Sequence, residues 1–215
     1  MQRLPNIMFV TGIGTDVGKS YATGWLAREL TSDGRKVITQ KFIQTGNQGY
    51  SEDIDIHRKI MNIELQPRDT DHTTAPLILS YPASPDLAAK IDGIDVDFEI
   101  AAKSTEILSQ EYDTVLVEGA GGVMVPLRGN YLTIDYIAAH RLPAVVVTNG
   151  QLGSINHTLL TLEALKQHNI EVAAVIYNPF FDKDDIICKD SKEYLSKYLA
   201  EKFPNTIFIV MPSQV

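Results

Sequence analysis

Six short runs of apolar, largely β-branched residues recur along the chain without polar alternation: Asn6–Thr11, Lys36–Lys41, Asp113–Val117, Ala144–Thr148, Val172–Tyr177 and Thr206–Val210. A strand with one wet face alternates polar and apolar residues. A run that does not alternate is covered on both faces, which is the condition of a strand inside a parallel sheet. Parallel neighbours need long crossovers, and segments with apolar residues at helical spacing fill the gaps: Lys19–Leu30, Phe98–Gln110, Ile134–His140, Ile155–Gln167 and Asp185–Lys202. This order predicts an α/β, doubly wound, mainly parallel sheet flanked by helices. Sheets of this kind take ligands at the carboxyl ends of their strands, so chemistry is expected in the residues that follow each run.

Composition narrows the partners. The 27 acidic residues against 19 basic ones leave a net charge of −8, and such a field repels nucleic acid and anionic membranes. The one cysteine, Cys188, excludes an intrachain disulfide framework and any multi-cysteine metal site, which fits a cytoplasmic protein. The apolar start ending at Thr11-Gly12 is too short for a signal core, and Leu142–Thr148 falls far short of a membrane span. No repeat, low-complexity tract or linker interrupts residues 1–215, so a single domain is expected.

The first run leads into Gly12-Ile13-Gly14-Thr15-Asp16-Val17-Gly18-Lys19-Ser20, and a helix follows. Strand, glycine-rich turn, Gly-Lys-Ser and helix N-terminus form the context of a phosphate-binding loop. Gly18 admits close approach of backbone to phosphate, and successive N–H groups point at the anion with the helix dipole behind them. Lys19 supplies charge to the β- and γ-phosphates, and the Ser20 hydroxyl is placed to ligate Mg²⁺. Ile13 stands where the usual spacing has its first glycine, with glycines on either side. The fold is therefore expected to be P-loop NTPase-like, with a nucleotide as the ligand.

Two further strand ends carry charge. Lys41 ends the second run and points into the expected crevice, where it can neutralise developing negative charge. The following Ser51-Glu52-Asp53-Ile54-Asp55 opens a helix, either as a cap or as a source of a carboxylate for Mg²⁺, from Asp53 or Asp55. Glu118 ends the third run in Glu118-Gly119-Ala120-Gly121-Gly122. A carboxylate there, opposite a phosphate loop, is placed to hold Mg²⁺, and its burial demands a cation or strong donor nearby.

Taken together these blocks resemble the dethiobiotin synthase family. The matches are Phe9-Val-Thr-Gly with Thr15–Ser20, Lys41 with Thr45-Gly46, Ala83-Ser84-Pro85, Val117–Gly122, Val125-Pro126-Leu127 and Leu152–Thr161, in order along nearly the whole chain. The resemblance implies closure of a cyclic urea on 7,8-diaminononanoate from CO₂ and MgATP, by way of a carbamate and a carbamic-phosphoric anhydride. It implies Lys19, Lys41 and Thr15 as catalytic residues, and Ser20, Asp53 and Glu118 as the Mg²⁺ ligands. Nucleotide contacts would come from Gly14 to Tyr21, from Glu118, Gly119, Ala120 and Gly121, and from Asn178, Pro179, Pro212, Ser213 and Gln214. Thr45 would bond the carbamate. Gly150, Leu152, Gly153, Ser154 and Asn156 would take the substrate carboxylate, with Tyr194 completing that site across a homodimer interface.

The chain departs from the family pattern at Phe42, where a proline is usual, so the backbone there is expected to be less fixed. The histidines, His57 among them, lack paired metal spacing and read as structural or surface residues; Asp182–Asp185 reads as a solvated loop. A second reading of the same loop class is an ATP-driven dimerisation switch of the partition or septum-site type. Such switches carry a second lysine early in the loop, where this chain has Gly14.

Overall fold

The computed structural model describes residues 4–213. From the amino end, β1 (Ile7–Gly12) leads into α1 (Lys19–Ser32), β2 (Val37–Lys41), the short β3 (Gln44–Thr45), α2 (Glu52–Met61), the single turn α3 (Pro67–Thr70) and β4 (Ile78–Leu79). Next come α4 (Pro85–Asp92), α5 (Glu99–Glu111), β5 (Thr114–Gly122), β6 (Pro126–Arg128), β7 (Tyr131–Leu132) and α6 (Thr133–Ala139). The chain continues through β8 (Ala144–Asn149), α7 (Ser154–Gln167), β9 (Val172–Asn178), α8 (Asp185–Lys202) and β10 (Ile207–Val210).

The six expected runs form one all-parallel sheet in the order β10-β9-β8-β1-β5-β2, while β3 pairs with β4 and β6 with β7 in two-stranded ribbons. Strand parity explains why these runs do not alternate. Met8 and Val10 pack toward Ala22, Trp25 and Leu26 of α1, and Phe9 packs on the opposite face with Leu108, Ile134 and Leu162. Both faces are dry, so apolar residues need not alternate with polar ones. The chain leaves β1 for one side of the sheet and later returns through β8 to the other. A crevice therefore opens at the carboxyl end of β1, the topological switch point.

Phe42 corrects the expectation of a looser backbone after β2. Its N–H donates to the Glu118 carbonyl at 2.8 Å, a bond that proline lacks the hydrogen to make. Its ring has no exposed surface and meets Phe9, Phe98 and Tyr136 at centroid distances of 5.7, 6.0 and 4.3 Å. The aromatic cluster fixes the segment from the side-chain side as well.

Arg58 ties α2 to the sheet. Its guanidinium donates to Thr39 Oγ1 and to both carboxylate oxygens of Asp69, at 2.7 to 2.8 Å, with both side chains buried. Burial would raise the Asp69 carboxyl, but Arg58 outweighs it and holds the group below its ordinary value of 3.8. The contribution of Asp69 is thus complete above that value and is lost as pH falls through the lower native one. Asp69→Ala strands the arginine, and the expected loss is about 3 kcal/mol at neutral pH. Urea unfolding of wild type and variant should show that gap and its narrowing below about pH 4; a gap that is pH-independent there would remove the ion pair from the account.

Candidate active site

Three strand-end positions share one face. In parallel strands register partners point the same way, and Lys41 of β2 is the partner of Glu118 in β5, which in turn pairs with Val10 of β1. Val10 and Leu116 pack toward α1, so Glu118 and Lys41 also face α1 and α2. The first turn of α1 brings Ser20 over them. On α2, Asp53 and His57 are one turn apart and both reach the same carboxylate cluster. Ser51 caps α2, its Oγ accepting from the Ile54 N–H at 3.3 Å and donating to Gln44 Oε1 at 2.7 Å. With the cap supplied by Ser51, the Asp53 carboxylate turns inward. Asp53 lines the crevice and Asp55 does not.

The resulting charge cluster is tight. Lys41 Nζ lies 2.8 Å from Glu118 Oε1, 2.5 Å from Asp53 Oδ2 and 3.1 Å from the Gly119 carbonyl, which uses its three hydrogens. Burial would lower the Lys41 pKa, but Glu118 and Asp53 outweigh it and raise it. Burial would likewise raise Glu118, whose side chain is 0% exposed; Lys41 and His57 reverse this and hold it far below the carboxylate range. Ser20 Oγ lies 2.5 Å from Asp53 Oδ1 and 2.9 Å from Glu118 Oε1, so one hydroxyl hydrogen serves two carboxylate oxygens. Three converging oxygens with one hydrogen among them are the hard, ionised donor set that Mg²⁺ takes.

The loop above them is built for an anion. Gly18 caps α1 at φ +87°, and the first turn of α1 holds no acidic residue, which leaves its dipole uncompensated. Lys19 Nζ folds back to donate to the Gly14 carbonyl at 3.0 Å; burial, reinforced by Lys41, keeps its pKa below the ordinary lysine value. Asn178, at the end of β9, donates from Nδ2 to the Val17 carbonyl at 3.1 Å and accepts the Phe180 N–H at 3.0 Å. The loop is therefore braced from across the switch point.

A cavity of about 720 Å³ gathers most of the expected residues: Thr15, Asp16, Gly18, Lys19, Ser20, Tyr21, Lys41, Thr45, Asp53, Glu118, Ala120, Gly121, Asn178, Pro212 and Ser213. Gly14, Val17, Gly119 and Pro179 adjoin it without lining it; Gln214 lies outside the described residues. Sequence reasoning missed Ile43, Gln44, Ile56, Phe180, Phe181 and Met211, all on the wall. It also missed His57, for which the signal was its spacing of one helical turn from Asp53. Gly150, Leu152, Gly153, Ser154, Asn156 and Tyr194 do not line this cavity. Their loop closes on itself, with Ser154 Oγ 2.7 Å from the Asn149 carbonyl and 2.5 Å from that of Gln151, and leaves Leu152 91% exposed. Tyr194 stands half-exposed on α8, stacked on Tyr198. Asp182 is no solvated loop residue, because it accepts from Tyr177 Oη at 2.7 Å and Lys192 Nζ at 3.0 Å, while Asp184 caps α8.

Sheet order, glycine loop, buried lysines and paired carboxylates define a phosphate-loop nucleotide-binding protein of the P-loop NTPase fold. Solved structures agree at the level of fold: the signal recognition particle receptor FtsY from Elizabethkingia anophelis in complex with GDP superposes with a TM-score of 0.54 at 14% identity, covering 94% of this chain and 55% of that one. FlhF complexed with GMPPNP/Mg(2+) gives 0.52 at 14% identity, over 98% and 67%. An AAA domain family model matches residues 6–203. Among curated proteins, ATP-dependent dethiobiotin synthetase BioD 2 of Pasteurella multocida is 45% identical over 97% of this chain and 98% of its own. The Haemophilus ducreyi protein of the same name is 47% identical over 97% and 99%, and dethiobiotin synthetase BioD of Chlorobaculum tepidum 45% identical over 90% and 81%. The chain belongs to the ATP-dependent dethiobiotin synthetase family.

The loop geometry is open to a direct test at Gly18. A methyl group there would stand 2.1 Å from Asn178 Nδ2, on a backbone with φ +87°. Gly18→Ala is expected to weaken ATP binding in calorimetry by at least about tenfold, from strain and loss of the Asn178 brace. Its unfolding temperature should move by only a few degrees. Unaltered ATP affinity would dissociate the loop from phosphate binding.

Proposed function

We propose that the protein is an ATP-dependent dethiobiotin synthetase, a carbon–nitrogen cyclo-ligase of biotin biosynthesis acting as one domain. The observation that carries the reading is the convergence of Lys41, Glu118, Asp53 and Ser20 beneath the phosphate loop, in a chain 45% identical to such a synthetase over 97% of its length. Acyl-phosphate chemistry of this kind needs anionic groups held in line and their charge neutralised more than it needs a protein nucleophile.

In this reading ATP, CO₂ and the diamine are brought together at the switch point. One amine of 7,8-diaminononanoate attacks CO₂ and loses a proton, giving a carbamate. A carbamate oxygen then attacks the γ-phosphorus, the bond to the β-phosphate oxygen breaks, and ADP leaves. The second amine attacks the carbamoyl carbon, loses its proton, and expels phosphate as the ring closes. Lys19 and Lys41 hold the carbamate and γ-phosphate charges through both transfers, and Thr15 and Thr45, both on the cavity wall, bond their oxygens. Ser20 Oγ, Asp53 and Glu118 would hold Mg²⁺, which would supply neutralisation of phosphate charge. Lys41 would have to exchange its carboxylate partners for substrate oxygens as the site fills. Its long stem and three donors suit that exchange.

The base is assigned to the outer end of the cavity, among Tyr21, Asn178, Pro179, Phe180, Phe181, Pro212 and Ser213. The substrate carboxylate is assigned to the N–H groups of Gly150, Leu152, Gly153, Ser154 and Asn156 at the start of α7, whose first turn carries no acidic residue. Because that loop does not line the cavity, the reading includes a homodimer in which Tyr194 reaches the carboxylate of the neighbouring site. The exposed Leu152, Leu160 and Ile186 fit such an interface. Among the described residues no helix is long and apolar enough to cross a membrane.

Protein mixed with MgATP, bicarbonate and 7,8-diaminononanoate should form ADP only when the diamine is present; diamine-independent ADP formation would sink the ligase reading. Lys41→Ala should keep measurable ATP binding and lose turnover by about a hundredfold or more, the scale of one lost electrostatic donor. Tyr194→Phe should raise the diamine KM, with direct diamine binding measured alongside because KM need not equal Kd. If neither value moves, Tyr194 leaves the site.

A further inference from the structure

One buried group touches the reaction site and has no part in the chemistry above. His57, on α2, has no exposed surface, and its ring is held at both nitrogens. Nε2 lies 2.7 Å from Glu118 Oε2, and Nδ1 lies 3.0 Å from Thr39 Oγ1. An ionised carboxylate only accepts, so Nε2 carries a hydrogen. Thr39 Oγ1 accepts from Arg58 Nη1 at 2.7 Å and has its own hydrogen available for Nδ1. A chain of contacts thus runs from Arg58 through Thr39 and His57 to Glu118, and Asp69 anchors the far end on Arg58.

The consequence lies in the two oxygens of Glu118. Oε1 faces Ser20 and Lys41, on the side of the phosphate loop, while Oε2 faces His57. We propose that His57 is a positioning residue that engages Glu118 Oε2, so that Oε1 alone is presented to Mg²⁺, and that this sets the Mg²⁺ affinity of the nucleotide site. The inference rests on the assignment of Glu118 as a Mg²⁺ ligand made above. Outer partners of this kind orient a metal's carboxylate ligand and typically change metal affinity by about 10- to 100-fold.

The test is ATP binding to the full-length protein, titrated with Mg²⁺ and repeated in EDTA. His57→Leu should raise the Mg²⁺ concentration that half-maximally strengthens ATP binding by about tenfold or more. Its ATP affinity in EDTA should be unchanged, which a general loss of structure would not produce. His57→Gln places an amide N–H near the position of Nε2 and should return the Mg²⁺ requirement close to the wild-type value. Thr39→Val keeps the shape of a buried side chain but removes the hydroxyl that orients the ring, and should give an intermediate requirement. A folded His57→Leu protein with the wild-type Mg²⁺ profile would overturn the proposal. Should that variant fail to fold, a wild-type profile in Thr39→Val would overturn it instead. A Mg²⁺-dependent wild type with indifferent variants would refute the role of His57 alone; ATP binding that ignores Mg²⁺ in the wild type would refute the Mg²⁺ assignment as well.

Discussion

The buried charge of Glu118 is the constraint around which the site is organised. A carboxylate at the end of a central strand, without exposed surface, costs several kcal/mol unless it is met by cations and donors. Each partner it finds comes from a different element: Lys41 from β2 by strand register, Ser20 from the first turn of α1, His57 from α2. Moving any of these elements by a few ångström would leave Glu118 uncompensated. The same requirement that packs α1 and α2 on the sheet thus gathers the groups assigned above to the nucleotide site.

The loop answers a different problem. The segment from Gly14 to Ser20 must face an anion in a molecule of net charge −8. The field of the surface opposes this, so the attraction has to be local: an uncompensated helix dipole, two buried lysines, and oxygens ready for a cation. Asn178 makes the geometry rigid by joining the loop to β9, a residue 161 positions away in sequence from the Val17 carbonyl it holds. Preorganisation of that sort removes an ordering cost from each binding event.

How much of this could be read from the residues follows from range. The six runs became the six parallel strands because burial on both faces leaves a mark in every residue of a strand. Lys19, Ser20, Lys41 and Glu118 were legible because a local pattern, a strand followed by a turn, places them at the crevice. Asp53 was legible as one of two candidates, and of the two only Asp53 lines the cavity. Asn178 as a brace was not legible, its partner lying 161 residues away outside any local pattern, and for His57 the one signal was its helical spacing from Asp53. Asp182 looked like a solvated loop although its partners are near in sequence, because Tyr177 and Lys192 sit on two different elements, β9 and α8, that meet at it. Phe42 departs from the family's usual proline, yet the N–H it gains and the aromatic cluster it fills keep the segment in place.

The central claim is that Lys41 and Glu118 are interdependent, each tolerable in its buried place because of the other. A double-mutant cycle in urea unfolding, with Lys41→Met, Glu118→Gln and the two combined, measures this directly. The account predicts that each single change destabilises the protein by leaving the other charge poorly matched, and that the double variant recovers part of the loss, with a coupling of about 2 to 3 kcal/mol. Single losses that add to within about 0.5 kcal/mol in the double variant would contradict it, and would leave the two charges as independent neighbours.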